Sequence, residues 1–350
     1  MQAEFGGGDE IRFERIGRAG VVTLTRPQAL NAVTHGMVQA LQRALDAWRD
    51  DDGVALVVIK AEGRAFSAGG DILHIYEAGR RGEPPYGFFA DEYRLNAAIA
   101  RFPKPYVALI DGIAMGGGVG VSFHGSHRVV TEKAVFAMPE TGIGFFPDVG
   151  GSRLLSGLPG EFGLYLALTT TRIRWGDMIA TGLATDAVAS DDLDGLLAAL
   201  ASSGDAGTAI AAVSRPVEPE TGRETLDRIA ALFSQDSLDA VMERLDAAAE
   251  NGDDFAADAR AAILKKSPTS LRVAFRQIRE GRGLSMDDCM RMEFRILHRM
   301  LVGHDFYEGI RAAIIEKGSA PHWEPARLRD IDSTAIDAYF ATLAEEELVL

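Results

Sequence analysis

Hydrophobic and polar positions in the first half of the chain switch repeatedly between strand spacing and helix spacing. Short apolar stretches at 11–13 and 21–25 flank a Gly-containing turn and predict two strands. Thr34 precedes apolar residues that share one helical face, so it predicts a helix capped by its hydroxyl. Continuous apolar runs at 54–60 and 106–110 are typical of strands buried on both faces.

The pattern changes character near residue 190. Before it, a helix is predicted over 93–102 and short strands over 127–131 and 134–137, which indicates an α/β domain spanning residues 10–190. After it, the Ala-, Asp- and Leu-rich spacing predicts a helical C-terminal region, 191–350, interrupted between Pro216 and Pro219. One of its helical stripes, which favours core packing or a subunit contact, contains Met290, Phe294, Leu297 and Leu301.

Composition narrows the class of protein. Of the 350 residues, 47% are hydrophobic, as in globular chains. The formal net charge of −15 argues against a nucleic-acid partner. Cys289 is the single cysteine, so no intrachain disulfide can form, and a cytoplasmic location is expected. The N-terminal MQAEFGGGDE lacks the basic and apolar parts of a signal peptide, and no apolar run is long enough to predict a membrane span.

Two Gly-rich turns each follow a predicted buried strand. Ala68-Gly69-Gly70 comes after the first and Gly116-Gly117-Gly118 after the second, where a helix through Val119 and Val121 is expected to begin. Glycine lets backbone N–H groups approach a ligand closely, and two converging amides form an oxyanion hole. Either turn alone is better explained as an ordinary tight turn. The two together, each at the end of a buried strand, make an oxyanion hole an equal alternative.

Common cofactor and nucleophile motifs are absent from the sequence. It contains no P-loop pattern, no strand-associated G-x-G-x-x-G, no H-E-x-x-H and no G-x-S-x-G. We therefore predict neither a metal nor a separate cofactor.

The stretch MPETGIGFFPDVGG places two acids around an apolar core. Glu140 and Asp148 bracket Phe145-Phe146-Pro147, although burying an ionised carboxylate is costly. One interpretation is structural, with Glu140 capping a helix and Asp148 ending a turn. The other is a dry pocket that holds a reactive carboxylate.

Several of these segments resemble the crotonase, or enoyl-CoA hydratase/isomerase, superfamily, and within it the 3-hydroxyisobutyryl-CoA hydrolases. The matching segments are RPQALNAV (26–33), GRAFSAGGDI (63–72), IDGIAMGGGVGVSFHGSHRV (110–129), FAMPETGIGFFPDVGGS (136–152), EFRI (293–296), DFYEGIRAAIIEK (305–317) and PHWEP (321–325). The resemblance implies a crotonase (ClpP-like) fold of repeated ββα units, an acyl-CoA substrate whose coenzyme A is not a cofactor, and a role in valine catabolism.

By matching positions, the resemblance implies catalytic roles for Glu140, Asp148 and the amides of Gly70 and Gly117. The first of the two glutamates that hydratases use falls on Gly120, which has no side chain, so the hydrolase branch is favoured. Glu140 would be the nucleophile or the general base, and Asp148 would bind the substrate hydroxyl. Substrate-binding positions are predicted at Ala68, Gly69, Asp71, Gly116, Phe145 and Phe146.

Two other hypotheses stay open at this point. One is a hydratase or isomerase of the same fold, in which Asp148 replaces the acid missing at 120. The other is a non-catalytic binding or assembly protein. Arg26 and Lys104 could contact the CoA phosphates or be solvated, and Asp71 and Asn31 are expected to brace their own turns. The family also suggests a homo-oligomer.

Overall fold

The structure is a computed structural model that describes residues 2–350, and contacts divide the chain into two compact units. Unit 1 comprises the segment ending at Asp71, together with Phe88–Phe136 and Ile173–Glu220. Unit 2 comprises Ile72–Gly87, Ala137–Arg172 and Thr221–Leu350. Neither unit is continuous in sequence, so the composition change near residue 190 is not one of the points at which they divide.

Eleven strands are formed by the described residues. They are β1 Gln2–Ala3, β2 Ile11–Ile16, β3 Ala19–Leu24, β4 Leu56–Ala61, β5 Ala65–Ser67, β6 Tyr106–Ile110, β7 Ile113–Met115, β8 His127–Val130, β9 Val135–Ala137, β10 Ile173–Arg174 and β11 Asp186–Ala187. Seven form one sheet in the order β1-β2-β3-β4-β6-β8-β11, and the other four form a sheet in the order β10-β9-β7-β5.

The larger sheet combines an antiparallel edge with a parallel centre. β1, β2 and β3 pair antiparallel, whereas β3, β4, β6, β8 and β11 pair parallel in succession. One face of the sheet packs on two helices after residue 190 through a fully buried cluster that includes Val21, Val58 and Leu109. Burial on both faces explains why β4 and β6 are continuous apolar runs.

Helices alternate with these strands and then dominate the second half of the chain. They are α1 His35–Arg49, α2 Ile72–Arg80, α3 Tyr86–Ala100, α4 Gly117–Gly120, α5 Gly151–Ser156, α6 Phe162–Thr169, α7 Trp175–Ala180, α8 Leu193–Ser203, α9 Ala206–Ala211, α10 Arg223–Phe233, α11 Leu238–Glu250, α12 Asp254–Ile263, α13 Pro268–Gly281, α14 Met286–Met300, α15 His304–Ile310 and α16 Ser333–Phe340. A π-helical turn, Arg311–Ile315, follows α15.

Side-chain caps begin several of these helices. The Thr34 hydroxyl accepts a hydrogen bond from the Met37 N–H, which confirms the predicted cap of α1. Ser267 and Ser285 cap α13 and α14 in the same way. Each cap satisfies one of the amides that a helix start leaves without an intrahelical partner.

The repeated ββα pattern is confirmed in the order β2-β3-α1, β4-β5-α2 and β6-β7-α4. The C-terminal region is helical, as predicted, and its Met290 and Leu297 stripe is core. Two predictions need correction: α3 begins at Tyr86 rather than 93, and the short strands β5 and β7 lie within segments interpreted as turns. Strands of three residues carry too little alternation to be recognised from sequence.

Candidate active site

Gly70 lies in a turn that is fixed to the chain segment before α1. The Val33 N–H donates to the Gly69 carbonyl at 2.8 Å, and the Asp71 N–H donates to the Val33 carbonyl at 3.0 Å. These two bonds form a parallel bridge between Val33 and Gly70. In such a bridge the N–H of the central residue points to the opposite side, so the Gly70 amide is directed away from Val33.

The second Gly turn packs directly against the first. A Cβ on Gly117 would lie 3.2 Å from the Gly70 nitrogen, and a Cβ on Gly118 would lie 2.3 Å from the Ser67 carbonyl oxygen. Gly116 has φ 48° and ψ −126°, a backbone conformation that other residues rarely adopt. Unit 1 therefore brings the predicted residues Gly70 and Gly117 together, with no room for side chains at 117 or 118.

The helix after this turn is shorter than predicted. α4 ends at Gly120 and does not continue through Val121. A single turn aligns few peptide dipoles, so the helix-dipole argument made from sequence contributes little here. Any anion-binding capacity of Gly117 has to come from the direction of its own amide.

Sequence reasoning missed a buried acid next to Gly117. Glu92, in α3, is 2% exposed, and its Oε1 lies 2.9 Å from the position that a Gly117 Cβ would occupy. Asn96, one helical turn later, is fully buried, and both its polar side-chain atoms lack a hydrogen-bond partner among the described residues. The available signal was the spacing of four between Glu92 and Asn96, which places the acid and the amide on one face of the helix.

The basic residues considered for CoA phosphates are engaged inside unit 1. The Arg26 guanidinium pairs with Glu10 at 3.1 Å and with Asp71 at 3.1 Å. The Lys104 Nζ donates to the carbonyls of Trp48 and Asp51. Arg26 and Lys104 are therefore not simply solvated. Asp71 was expected to accept hydrogen bonds from backbone amides of its own turn, but its carboxylate pairs with Arg26.

Asn31 braces its turn as predicted. Its Oδ1 accepts from the Arg26 N–H at 2.8 Å, and its Nδ2 donates to the carbonyls of Glu62 and Ala65. Its φ of 55° is one that Asn tolerates better than most residues. The predicted substrate-binding positions Ala68 and Gly69 lie directly after β5, in the turn bonded to Leu30 and Val33.

In unit 2, Glu140 begins a 3-10 turn, Glu140–Ile143, and its side chain is only 5% exposed. The turn is held by close backbone contacts, since a Cβ on Gly144 would lie 2.0 Å from the Asp305 carbonyl oxygen. Glu140 Oε2 has no hydrogen-bond partner among the described residues. A buried carboxylate oxygen without a partner is costly, which argues against a purely structural role.

The aromatic residues between the two acids form an apolar wall. Phe145, Phe146 and Pro147 are all buried, and the two Phe rings lie 4.7 Å apart between centroids. Phe145 also contacts the Phe306 ring of α15 at 5.2 Å. The apolar environment expected around the acids is therefore present in unit 2.

Asp148 begins a strained loop that is bonded to the buried side chain of Glu293. Val149 has φ 49° and Gly150 φ 86°. A left-handed conformation at a β-branched residue costs on the order of 1–3 kcal/mol and persists only where neighbouring contacts enforce it. Glu293 accepts the N–H groups of Gly150 and Ser152 at 2.8 and 2.9 Å.

The pKa values of two buried acids in unit 2, Glu140 and Glu293, are raised by burial and by neighbouring charges. Burial raises the pKa of Glu140 well above its ordinary value, and the charges on Asp148 and then Glu293 raise it further. Burial also raises the pKa of Glu293 to about 8, although its hydrogen bonds from Ser152 and Gly150 oppose that shift. A carboxylate tuned upward in this way is suited to accepting a proton near neutral pH.

Neither a reactive cysteine nor a metal site is indicated by the described residues. Cys289 is buried in α14, where burial raises the pKa of its thiol to about 12, so it packs as a core residue. Across residues 2–350, no three His, Cys, Asp or Glu side chains are grouped as a metal ion would require.

Three features point to one class of protein: the glycine turns of unit 1, the buried acids of unit 2 and the ββα framework. The sequence model for the family described as enoyl-CoA hydratase/isomerase matches residues 19–340, and the chain belongs to this family, with the crotonase fold. Two solved structures share the fold over almost the whole chain. A carnitinyl-CoA dehydratase from Mycobacterium thermoresistibile has a TM-score of 0.91 at 39% identity, covering 98% of this chain and 99% of that one. An enoyl-CoA hydratase from Rhodobacter sphaeroides 2.4.1 has a TM-score of 0.89 at 38% identity, covering 97% and 100%.

Curated relatives narrow the resemblance to one branch. The chain is 43% identical to the mitochondrial 3-hydroxyisobutyryl-CoA hydrolase of Danio rerio, over 98% of this chain and 92% of the relative. It is 40% identical to the protein of the same name from Homo sapiens, over 97% and 90%. The branch predicted from the sequence motifs is thus confirmed as the one that this chain resembles.

Proposed function

We propose that this protein hydrolyses an acyl-CoA thioester, with 3-hydroxyisobutyryl-CoA as substrate and 3-hydroxyisobutyrate and coenzyme A as products. Support comes from the names of relatives at 40–43% identity over nearly the full chain. It also comes from the carboxylates of unit 2, which suit this chemistry. The reaction would belong to valine breakdown, as the resemblance implies.

The observation that carries the proposal is the burial of the Glu140 carboxyl group in apolar surroundings, which raises its pKa. Its carboxyl group is buried, one of its oxygens has no hydrogen-bond partner among the described residues, and its pKa is raised by burial and by Asp148. Such a group gains from accepting a proton or from forming a bond to carbon, because either event removes a buried charge.

The thioester carbonyl would be polarised by the amides of Gly70 and Gly117. Unit 1 supplies two adjacent glycine turns whose N–H groups can reach a carbonyl oxygen without a Cβ in the way. Donors placed where negative charge develops are worth most in the transition state, and losing one costs on the order of 3 kcal/mol of barrier. The wall formed by Phe145 and Phe146 would exclude bulk water.

Hydrolysis forms a C–O bond to the acyl carbon and breaks the C–S bond. Along one route Glu140 attacks the carbonyl carbon, CoA leaves as the thiolate, and water then opens the resulting anhydride. Along the other route Glu140 removes a proton from water, and the resulting hydroxide attacks. The thiolate takes up a proton in either case, and trapping with hydroxylamine separates the routes, because only the first passes through an acyl-enzyme.

Asp148 would bind the hydroxyl of the substrate and hold the pKa of Glu140 high. In unit 1, Glu92 is a buried acid beside Gly117, and it would face the acyl portion of the thioester. The predicted contacts at Ala68, Gly69, Asp71 and Gly116 remain part of this proposal. Arg26 and Lys104 are omitted from it, because both are engaged within the fold.

The second candidate function is that of a hydratase or isomerase, which the names of the two structural relatives favour. Water addition in this fold is implied to need two acids, and position 120 is a buried glycine in α4. Asp148 would have to supply the missing group. This reading is less well supported than hydrolysis.

A single assay separates the two. Release of free thiol from 3-hydroxyisobutyryl-CoA is compared with loss of the enoyl chromophore from crotonyl-CoA, across a panel of short acyl-CoAs. Hydrolysis predicts fast thiol release and little change in the enoyl signal. The reverse result would assign the hydratase activity, and no reaction with any thioester would favour a binding or assembly protein.

Location and assembly extend the proposal. Within the described residues, no helix has the length and apolarity needed to cross a bilayer. The cytoplasmic location predicted from sequence stays a prediction, and the vertebrate relatives carry names that place them in mitochondria. A homo-oligomer and the absence of a nucleic-acid partner also stay predictions.

A further inference from the structure

The loop that carries Asp148 is bonded to two buried polar side chains from helices more than 120 residues away in sequence. Glu293 projects from α14 and Gln277 from α13, and both are fully buried. A buried polar side chain needs partners to offset its lost hydration. Both residues find most of theirs on the same six-residue segment, Pro147–Ser152, which we call the Asp148 loop.

The contacts cover both ends of the Asp148 loop. Gln277 Nε2 donates to the Pro147 carbonyl at 2.5 Å and to the Ser152 hydroxyl at 2.8 Å. Glu293 accepts from the N–H groups of Gly150 and Ser152 at 2.8 and 2.9 Å. The residue before Asp148 and the residues after Val149 are therefore held by side chains that do not belong to the loop.

The backbone between those contacts would not hold its shape unaided. Val149 adopts φ 49°, a left-handed conformation that disfavours β-branched residues. Within the turn, the Gly151 N–H donates to the Asp148 carbonyl at 2.7 Å. Strained residues persist where the surroundings over-determine them, and Glu293 and Gln277 supply four hydrogen bonds to this segment from outside it.

We propose that Glu293, assisted by Gln277, is a positioning residue that holds the Asp148 loop in the one conformation that presents the Asp148 carboxylate to the substrate. This inference rests on the proposed function, since it concerns the same reaction. Among the described residues, the hydrogen bonds of Glu293 go to backbone and Ser152 groups of the Asp148 loop, so they act on the position of Asp148. The charge of Glu293 also acts on Glu140, and the uncharged Gln277 separates the two effects.

The test is a functional double-mutant cycle with kcat and KM measured by thiol release. Glu293→Gln retains the shape of the side chain but turns an NH2 group toward one of the two backbone N–H donors. We expect kcat/KM to fall by at least ~10-fold, while Asp148→Asn falls further. The double variant should be no slower than Asp148→Asn alone, within about threefold, because both changes remove the same positioned group.

A matched control is Asp253→Asn. Asp253 also accepts a backbone N–H, that of Ala256, but it caps α12 and does not bond the Asp148 loop. A general loss of stability would lower the activity of both Glu293→Gln and Asp253→Asn. Its fold-loss of activity would then multiply with the fold-loss caused by Asp148→Asn. Circular dichroism and thermal unfolding verify that each variant is folded.

If Glu293→Gln does not fold, Gln277→Met replaces it. Methionine retains the volume and loses the two donated hydrogen bonds, and we expect the same non-additivity with Asp148→Asn. The inference is overturned if Asp148→Asn lowers kcat/KM but Glu293→Gln and Gln277→Met both match wild type. It is also overturned if the loss in the double variant equals the product of the two single losses. A wild-type protein that releases no thiol from any acyl-CoA would overturn the proposed function itself, and this inference with it.

Discussion

Unit 1 and unit 2 contribute different kinds of chemical group. The candidate groups of unit 1 are backbone amides in glycine turns, held by the strand pairing around β5 and β7. Those of unit 2 are carboxylates, held at loop positions by helices α13, α14 and α15. The amides have no ionisation near neutral pH and no side chain to vary, whereas the carboxylates depend on one another through their charges.

This difference teaches how each half can fail. A substitution in the glycine turns of unit 1 acts by adding atoms where space is absent. A substitution among the acids of unit 2 acts by removing a charge or a hydrogen-bond partner, so its effect depends on pH. The four predictions that follow test this contrast, from the largest expected effect to the smallest.

The largest effect is expected for Glu140→Gln. The amide can neither attack a carbonyl nor accept a proton, so thiol release should fall by ~100-fold or more. Folding should be retained, because the change removes a buried acid. A variant that equals wild type on every acyl-CoA tested would remove Glu140 from the reaction and favour the non-catalytic alternative.

Gly117→Ala should reduce thiol release by on the order of 100-fold without moving the pH profile. The new Cβ would lie 2.9 Å from Glu92 Oε1 and 3.2 Å from the Gly70 nitrogen, so the Glu92 carboxylate and the Gly70 amide have to give way. The control is Gly195→Ala in α8, where a Cβ meets nothing within 4 Å and activity should be unchanged. A displaced pH profile in Gly117→Ala would contradict the expectation that substitutions in the glycine turns act by steric effects alone.

Asp148→Asn should move the acid limb of the kcat/KM profile to lower pH. The negative charge of Asp148 raises the pKa of Glu140, so its removal lets Glu140 ionise in more acidic solution. The maximum rate should fall as well, through loss of the substrate contact. An unchanged limb would mean that the two carboxylates titrate independently.

The smallest effect concerns stability. The pKa of Glu293 rises from about 4.5 unfolded to about 8 folded. Its stabilising contribution is therefore complete below about pH 4.5 and is lost as pH rises to about 8, because the unfolded chain binds fewer protons in that window. We expect the Tm of wild type to fall by a few degrees between pH 5.5 and 8, and that slope to flatten in Glu293→Gln. A slope that Glu293→Gln leaves unaltered would contradict the shifted pKa.

Much of the framework follows from local pattern. The run 106–110 predicts β6 residue for residue, Thr34 predicts the cap of α1, and the helical stripe around Met290 predicts core. The motifs around Gly70, Gly117, Glu140 and Asp148 identify the family, because they are long and keep their order. These features depend on neighbours within a few residues, which a sequence displays directly.

Other features exist only because distant segments meet. Glu293 lies about 140 residues from the amides that it bonds, and nothing in EFRI predicts that contact. Nothing in the sequence shows that α3 buries Glu92 beside Gly117, or that Glu10 and Asp71 pair with Arg26, which could have contacted phosphate or been solvated. Sequence determined which groups are available. Tertiary packing decided which of them lose water and feel one another's charge, since desolvation and Coulomb interaction depend on distances that only the fold sets.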